Sequence, residues 1–239
     1  MRTPQTVIVT GASSGIGLAL TKAFLARGAR VVANSRHVST AGTLTPSPTL
    51  ALVDGDIAQP DVAAQVIGAA DRFGSLDLLV NNAGIFIPKP FVDYTAADVA
   101  ALVSTNLTGF LHITQQAVRR MQARRSGHVV TVTTSLADQP IAGVPASIPI
   151  LTKAGLNAIT KALTIEYAAD GIRFNTVAPG IVDTPMHKPE AHGFLKGLHP
   201  IARLGTTDEI VEAVLYLDGA GFVSGEVLHV DGGAHAGRW

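Results

Sequence analysis

Short apolar runs alternate along this chain with longer segments whose apolar residues recur at helical spacing. In the first run, Val7, Ile8 and Val9 leave no polar face, which predicts a strand buried on both sides. Ile16 and Leu20 then begin a helical pattern. The alternation predicts about seven strands, at residues 7–9, 30–35, 51–54, 76–80, 127–134, 173–177 and 226–230.

The helical segments lie between these runs. We predict helices from Gly15 to a C-cap at Gly28 and over residues 61–73, 95–124, 149–168 and 206–217. Capping boxes, in which a Thr is followed three residues later by Asp or Glu, mark the starts at Thr95 and Thr206. Residues 38–50 and 186–204 lack such a pattern, so we predict an irregular connection and a loop there. With no repeat or linker, residues 1–239 are predicted to form a single α/β domain, a doubly wound parallel sheet with helices on both faces.

Composition narrows the classes of function. Hydrophobic residues make up 47% of the chain and charged residues 15%, which suits a sheet covered on both faces. Lys+Arg and Asp+Glu are both 18, so we expect neither a nucleic-acid nor a membrane partner. The chain has no cysteine, which excludes disulfides and thiol catalysis and favours a cytoplasmic location. No apolar run reaches the roughly 18 residues of a membrane span, and the first strand begins too near Met1 for a signal peptide.

A glycine-rich turn joins the first strand to the first helix. Gly11 allows a tight turn, Gly15 lets a pyrophosphate approach the backbone, and Gly17 lets helix and strand pack closely. The unpaired N–H groups of the helix start and the helix dipole favour negative charge at the same point. Three glycines in the spacing GxxxGxG can also serve only the packing of helix on strand. The rest of the chain has to decide between a phosphate-binding turn and a packing turn.

The end of the second strand bears on which dinucleotide is bound. An acidic residue at this place binds the 2′-hydroxyl of NAD, but Asn34 and Ser35 are neutral and Arg36 follows them. A guanidinium pairs bidentately with a 2′-phosphate, which a carboxylate would repel. We therefore expect NADP(H) in preference to NAD(H); the alternative is that Arg36 is a solvated surface side chain.

Further motifs follow the later strands. The motifs TGASSGIG, NNAG and VDGG, the segment PGIVDTP, and Asn106, Ser135 and Lys153 occur in the order and near the spacing of the short-chain dehydrogenase/reductase family. Nearly the whole chain resembles that family. The resemblance implies a Rossmann-type fold, a nicotinamide cofactor and hydride transfer to or from a small carbonyl or alcohol substrate.

The resemblance also implies roles for individual residues. Ser135 would polarise a substrate carbonyl, Lys153 would bind the nicotinamide ribose, and Asn106 would anchor a water relay that reaches Lys153. Asp56 and Ile57 fall where the family contacts adenine, although Asp56 can also serve as a turn or cap residue. The implied cofactor-binding residues are Gly11, Ser13, Ser14, Gly15, Ile16, Gly17, Ser35, Arg36, Asp56, Ile57, Asn82, Ala83, Gly84, Lys153, Pro179, Gly180, Val182 and Thr184. No metal is expected, since nothing fixes the geometry of the three His in residues 186–204.

The family's proton donor is missing from this pattern. In the family a Tyr stands four residues before the Lys, but here that position is Pro149, and no Tyr lies between Ser135 and Lys153. Pro149 suits the first turn of a helix, yet it cannot donate a proton. The candidate substitutes are Ser147, which could equally be an N-cap, Asp138, a loop His, or a water held by Lys153 and Asn106. We favour the lysine-and-water route.

Two functions of different class remain. One is an atypical NADP(H)-dependent oxidoreductase with a non-standard proton donor, and the other is a catalytically silent NADP(H)-binding homologue that acts as a sensor or assembly partner. The retention of Asn106, Ser135 and Lys153 favours the oxidoreductase. We also expect a homotetramer or homodimer, because family members pair the helices around 99–121 and 150–168 across a two-fold axis, and both are apolar here. The alternative is that these helices are buried within one chain.

Overall fold

The computed structural model describes residues 5–237, within which seven strands form one parallel sheet. The strands are β1 (Thr6–Thr10), β2 (Arg30–Ser35), β3 (Leu50–Asp54), β4 (Leu78–Asn81), β5 (Gly127–Val132), β6 (Ile172–Pro179) and β7 (Val227–Val230), in the spatial order β3-β2-β1-β4-β5-β6-β7. The predicted doubly wound α/β fold is confirmed. The expectation about a signal peptide concerns residues 1–4, which lie outside the described residues.

Helices cover both faces of the sheet. They are α1 (Gly15–Ala26), α2 (Pro60–Asp71), α3 (Ala96–Val103), α4 (Gly109–Arg124), α5 (Ser147–Tyr167), α6 (His192–Lys196) and α7 (Thr207–Gly219). On β1, Val7 and Val9 belong to a core cluster with α1 and α7, whereas Ile8 belongs to a second cluster with α2 and α4. Since both faces of the strand are covered, its apolar run without a polar face is explained. No helix within residues 5–237 is long and apolar enough to cross a membrane.

The strand order places a crevice at the centre of the sheet. Strand β1 pairs with β2 on one side and with β4 on the other. The connections that follow β1 and β4 therefore leave in opposite directions, which opens a crevice at the carboxyl ends of the strands. Gly11 follows β1 and Asn82 follows β4, so the glycine-rich turn and the NNAG segment reach the same crevice.

The predicted helix over 95–124 is interrupted. Helix α3 ends at Val103, a π-helical turn follows over Ser104–Thr108, and α4 continues to Arg124. The interruption comes just before Gly109, a residue type of low helical propensity. A Cβ on Gly109 would stand 2.8 Å from Ile57 Cγ2, so this glycine allows close packing against the segment after β3.

Several boundaries differ from the sequence expectation. Strand β5 ends at Val132, two residues early, and α5 begins at Ser147. The N-cap residue of α5 is Ala146, so the reading of Ser147 as an N-cap is wrong. The loop 186–204 contains a 3-10 turn, Pro189–Ala191, and α6. Both capping boxes are confirmed, and the irregular connection between β2 and β3 contains no helix, as expected.

The first helix ends one residue before the predicted cap. The C-cap is Arg27, and Gly28 follows it with a φ of +80°. The Gly28 N–H donates to Leu25 O and the Ala29 N–H to Phe24 O, which is the Schellman arrangement.

Candidate active site

A cavity of ≈ 420 Å³ opens at the carboxyl ends of the strands. Every predicted cofactor-binding residue except Gly17 lines it, whereas of the predicted catalytic residues only Lys153 does. The other lining residues are Asn34, His37, Gly55, Ile85, Phe86, Thr105, Val132, Thr133, Thr134, Pro185, Met186 and His187, of which His187 is one of the loop histidines named as a possible proton donor. Most of them are sequence neighbours of predicted residues, so their place at the strand ends was a usable signal. A cavity of this size accommodates an organic cofactor or substrate.

The glycine-rich turn is packed so closely that side chains are excluded. Gly11 has a φ of +68°, and a Cβ on it would stand 2.9 Å from Ala83 Cα. A Cβ on Gly17 would overlap the Gly11 carbonyl oxygen, which explains why Gly17 lies beneath the cavity. The Ser14 hydroxyl makes no capping hydrogen bond to α1. It therefore does not use up the N–H groups of the first helical turn, and Ser14, Gly15 and Ile16 line the cavity. This cradle fits a pyrophosphate at the helix N-terminus.

Hydrogen bonds join the glycine-rich turn to the NNAG segment. Thr10 Oγ1 accepts from the N–H groups of Asn82 and Ala83, both at 3.0 Å. In return, Asn82 Nδ2 donates to the Thr10 carbonyl at 3.0 Å and to the Gly11 carbonyl at 3.3 Å. Two motifs about 70 residues apart in sequence therefore form one rigid wall of the cavity.

At the other end of the cavity, the residues that follow β2 are neutral or basic. Asn34 Nδ2 is held by the carbonyls of Val53 and Gly55, while Arg36 and His37 are exposed and line the cavity. The hydroxyl and the N–H of Ser39 both donate hydrogen bonds to the Asp54 carboxylate. These bonds, the one from the hydroxyl above all, hold the pKa of Asp54 below its usual range.

Ser35 and Asp56 complete this end. Ser35 Oγ is buried, lines the cavity and has no hydrogen-bond partner among the described residues, so it suits a ribose hydroxyl or a phosphate oxygen. Asp56 Oδ1 accepts from the Ala58 N–H at 2.9 Å, so Asp56 serves as a turn residue while also lining the cavity. The residues present therefore fit a dinucleotide.

Lys153 and Asn106 meet beneath Gly84. Lys153 Nζ donates to the Val132 carbonyl at 2.9 Å, and burial lowers the pKa of this amine to about 8. A Cβ on Gly84 would stand 2.9 Å from Lys153 Nζ and 3.3 Å from Asn106 Oδ1, so glycine leaves room for both side chains. Asn106 lies in the π-helical turn and is almost fully buried.

The Asn106 side chain is fully engaged. Its Oδ1 accepts from the Ile85 N–H at 2.9 Å, and its Nδ2 donates to the Ile85 carbonyl at 3.1 Å and to Thr152 Oγ1 at 3.0 Å. It thus ties the π-helical turn to α5 and to the segment after NNAG. A separate cavity of ≈ 10 Å³ is lined by Asn106 and Lys153, a size that suits one water molecule.

Two adjacent hydroxyls after β5 have different surroundings. Ser135 is 3% exposed and does not line the main cavity. Thr134 lines it, and its Oγ1 accepts from the Leu136 N–H at 3.3 Å. That contact uses an acceptor site of Oγ1 and leaves the hydroxyl proton of Thr134 available to a ligand. The structure therefore places Thr134 at the cavity wall and Ser135 behind it.

The expected substitutes for the missing Tyr are placed unequally. Pro149 is buried in the first turn of α5, Ser147 is exposed and does not line the cavity, and Asp138 Oδ2 lies 2.8 Å from His229 Nε2. The three tyrosines do not line the cavity either. Tyr94 donates to the Ile87 carbonyl, and Tyr167 packs on Phe174.

The segment after β6 closes the cavity over the glycine-rich turn. A Cβ on Gly15 would stand 3.2 Å from Thr184 Cγ2, so Thr184 sits directly against the turn. His199 is buried, and its Nε2 accepts from the Ile181 N–H at 2.9 Å, which holds this segment in place. A Cβ on Gly180 would stand 2.6 Å from the same nitrogen. Pro179 and Val182 line the cavity beside them.

The three histidines of the loop 186–204 have separate surroundings. His187 lines the cavity, His192 Nε2 lies 3.3 Å from the His187 carbonyl, and His199 holds Ile181. Among residues 5–237 no group of three or more His, Cys, Asp or Glu side chains is placed to hold a metal ion.

Residues 11–235 match the family model described as enoyl-(acyl carrier protein) reductase. The chain is 38% identical over 240 residues to cis-4-hydroxycyclohexanecarboxylate dehydrogenase of Sinomonas cyclohexanicum, covering 96% of both chains. The chain belongs to the short-chain dehydrogenase/reductase family. It is also 33% identical over 245 residues to a 3-oxoacyl-[acyl-carrier-protein] reductase of Chlamydia trachomatis, again covering 96% of both.

Solved structures of short-chain dehydrogenase/reductases share the fold. A 3-ketoacyl-(acyl-carrier-protein) reductase from Brucella melitensis, complexed with NADH, superposes with a TM-score of 0.89 at 26% identity, covering 97% of this chain and 98% of that one. ElxO with NADP bound gives a TM-score of 0.88 at 25% identity, covering 98% and 100%. These relatives support an oxidoreductase that uses a nicotinamide cofactor.

Proposed function

We propose that this protein is an NADP(H)-dependent oxidoreductase that interconverts a small carbonyl compound and its alcohol, and that it is an atypical family member without the catalytic Tyr. The observation that carries the proposal is the continuity of one cavity, from Arg36 and the glycine-rich turn to Lys153 and Thr134. The cradle at the helix N-terminus suits the pyrophosphate, and Arg36 suits a 2′-phosphate.

The chain's own groups position the reacting atoms. A bound nicotinamide supplies or accepts the hydride. Lys153 is placed to hold the ribose next to it, and Gly84 leaves room for the ammonium. The Thr134 hydroxyl is placed to donate to the substrate oxygen, the role that the family resemblance gave to Ser135. Ile85, Phe86 and Met186 line the cavity with apolar surface, which suits an apolar carbon skeleton next to the carbonyl.

Lys153 and Asn106 offer a proton reservoir. With its pKa lowered to about 8, the Lys153 amine exchanges protons near neutral pH more readily than an ordinary lysine. The water-sized cavity between it and Asn106 suits the relay expected from the family. We propose this route as the path by which the buried side of the site gains or loses a proton.

A cofactor-oxidation screen tests the function. NADPH consumption is measured with ketones, aldehydes, quinones and imines, starting with 4-oxocyclohexanecarboxylate, the ketone that corresponds to the alcohol named for the Sinomonas relative. We expect turnover of at least one carbonyl compound. Lys153→Ala should abolish it while retaining some NADPH binding by calorimetry, because the cradle and Arg36 remain.

A silent protein would show the opposite pattern. NADPH would bind, every compound in the screen would be left unchanged, and Pro149→Tyr would create carbonyl reduction. That result would reject the oxidoreductase in favour of a cofactor-binding homologue whose site lacks only its acid.

A further inference from the structure

We propose that His187 exchanges the substrate proton with solvent, so that an imidazole performs the step for which the family uses a tyrosine. This inference rests on the proposed oxidoreductase function. It assigns a residue outside the motifs that define the site, on the segment between β6 and α6.

His187 is held by its backbone, while its ring stays available. Its N–H donates to the Thr184 carbonyl at 2.9 Å, and its carbonyl accepts from His192 Nε2 at 3.3 Å. These bonds anchor the residue to the segment that lies on the glycine-rich turn. Neither ring nitrogen makes a hydrogen bond with another residue of the described chain, and the ring lines the cavity. The imidazole is therefore positioned and unoccupied.

Position within the cavity selects His187 among the titratable side chains that line it. Arg36, His37 and Asp56 follow β2 and β3, at the adenosine end, away from the reacting carbonyl. Lys153 belongs to α5, and its ammonium donates to the Val132 carbonyl beneath Gly84. His187 alone of these five follows β6, and it is half-buried, at the boundary between the cavity and the solvent. A group at such a boundary can pass a proton outward.

The surroundings of His187 suit a proton shuttle. Burial lowers the pKa of the imidazole, a positive charge on His192 lowers it further, and Asp183 opposes both. His192 belongs to α6 and Asp183 to the segment after β6, and they are the charged groups that act on the ring. The neutral imidazole therefore predominates at neutral pH and can accept a proton, while mildly acidic conditions supply the donor form.

The step balances in both directions. In reduction, the carbonyl carbon gains a hydride from the dihydronicotinamide, the C=O π pair moves to oxygen, and that oxygen takes the proton from the imidazolium N–H. The neutral imidazole then regains a proton from water. In oxidation the neutral ring takes the hydroxyl proton as the hydride leaves the carbon, and it releases that proton to solvent.

Chemical rescue is the decisive experiment. With NADPH and a carbonyl compound that the wild type reduces in the screen, His187→Ala should lower kcat roughly a hundred-fold or more. Added imidazole should restore a large part of the loss, because a free imidazole can enter the vacated space. Imidazole should not restore Lys153→Ala, and His112→Gln should behave like wild type, since His112 lies on α4 and does not line the cavity.

A second readout does not depend on turnover. In a protein with ¹⁵N-labelled imidazoles, adding that carbonyl compound to the complex with NADP⁺ should shift the His187 ring resonances and leave those of His112 unchanged. It should also move the midpoint of the His187 titration, because the ring gains a hydrogen-bond partner.

The outcomes separate this inference from the function on which it rests. Wild-type turnover that persists in His187→Ala, or a loss that imidazole leaves unrestored together with unchanged His187 resonances, overturns the role of His187 and leaves the oxidoreductase intact. Wild-type silence across the whole screen overturns the function and this inference together. A loss confined to His187→Ala and restored by imidazole supports both.

Discussion

Thr134 and Ser135 show how much a single residue position matters at this site. Both are hydroxyl residues just after β5, yet one lines the cavity and the other is 3% exposed behind it. The Leu136 N–H is bound to Thr134 Oγ1, which orients the free hydroxyl proton. The chemistry of a hydroxyl is the same at either position, so its direction decides the role.

Exchange of these hydroxyls tests that assignment. Thr134→Val keeps the shape but removes the donor, so kcat/KM should fall roughly a hundred-fold, as for other groups that stabilise a developing oxyanion. Thr134→Ser should retain most of the activity, because it restores both the donor and the contact with Leu136. Ser135→Ala is the matched control and should change kcat/KM little. If instead Ser135→Ala carries the loss, Thr134 has no catalytic role.

Arg36 is the single residue on which the predicted preference for NADP(H) depends. Arg36→Asp should weaken NADPH binding about ten- to a hundred-fold and strengthen NADH binding, because a charge-assisted pair is replaced by a repulsion. Calorimetry with each cofactor measures the change, and Arg72→Asp on the exposed end of α2 is the control. Equal affinities for the two cofactors in the unmodified protein would contradict the NADP(H) preference.

At the scale of elements, a buried histidine links β5, β6 and α7. Asn175 Oδ1 accepts from the Glu226 N–H, so its Nδ2 is the atom that faces His128 Nε2 at 3.0 Å. A donor at that distance requires an unprotonated Nε2. His128 Nδ1 lies 3.5 Å from Asp218 Oδ1 and 3.2 Å from Arg173 Nη2, so a carboxylate and a guanidinium both face this nitrogen. Burial is the main cause that lowers the pKa of His128.

This histidine should make stability depend on pH. Above about pH 6.5 the imidazole is neutral in both the folded and the unfolded chain, so it adds no pH dependence. As the pH falls below that value, the unfolded chain binds a proton that the folded chain excludes, and the free energy of unfolding should drop by up to about 1.4 kcal/mol per pH unit. Urea unfolding at a series of pH values measures the slope.

The variant His128→Gln isolates the contribution of this histidine to the pH dependence of stability. His128→Gln has no titrating ring and should flatten the pH dependence between about pH 5 and 6.5, although it loses packing and is less stable overall. His235→Gln, at an exposed position near the C-terminus, serves as the control. An unchanged slope in His128→Gln would show that other groups carry the acid sensitivity.

At the scale of the whole molecule, α5 leaves an apolar stripe uncovered. It buries Thr152, Leu156 and Thr160 against the sheet, while Leu151 is 67% exposed and Ile165 is 81% exposed. On the neighbouring interrupted helix, Val103 and Leu111 are also exposed. We propose that this face joins copies of the chain across a two-fold axis, as a homodimer or a homotetramer.

Charge on that stripe tests the assembly. Ile165→Glu should lower the mass measured by light scattering at micromolar concentration, because a carboxylate would be buried at the interface. Val92→Glu is the matched control, since Val92 is 88% exposed on the 3-10 turn Phe91–Asp93, outside the helices that carry the stripe. A wild-type protein that scatters as a monomer would reject the proposal.

The residue pattern alone determined the fold class, the order of the elements and the cofactor turn. These features depend on local rules: apolar runs for strands buried on both faces, helical spacing, capping boxes, and glycines where a Cβ has no room. The close contact of Gly17 with the Gly11 carbonyl is an example, because the requirement for glycine shows directly in the sequence.

Tertiary structure decided which side chains meet at the active-site cavity. Strand β5 ends at Val132 because its pairing with β6 stops there, and the Thr133 N–H then donates to the Val177 carbonyl. That register turns Thr134 toward the cavity and Ser135 away from it. Likewise, the π-helical turn that carries Asn106 is tied to Ile85 and Thr152, which are distant in sequence, so no local periodicity could reveal it.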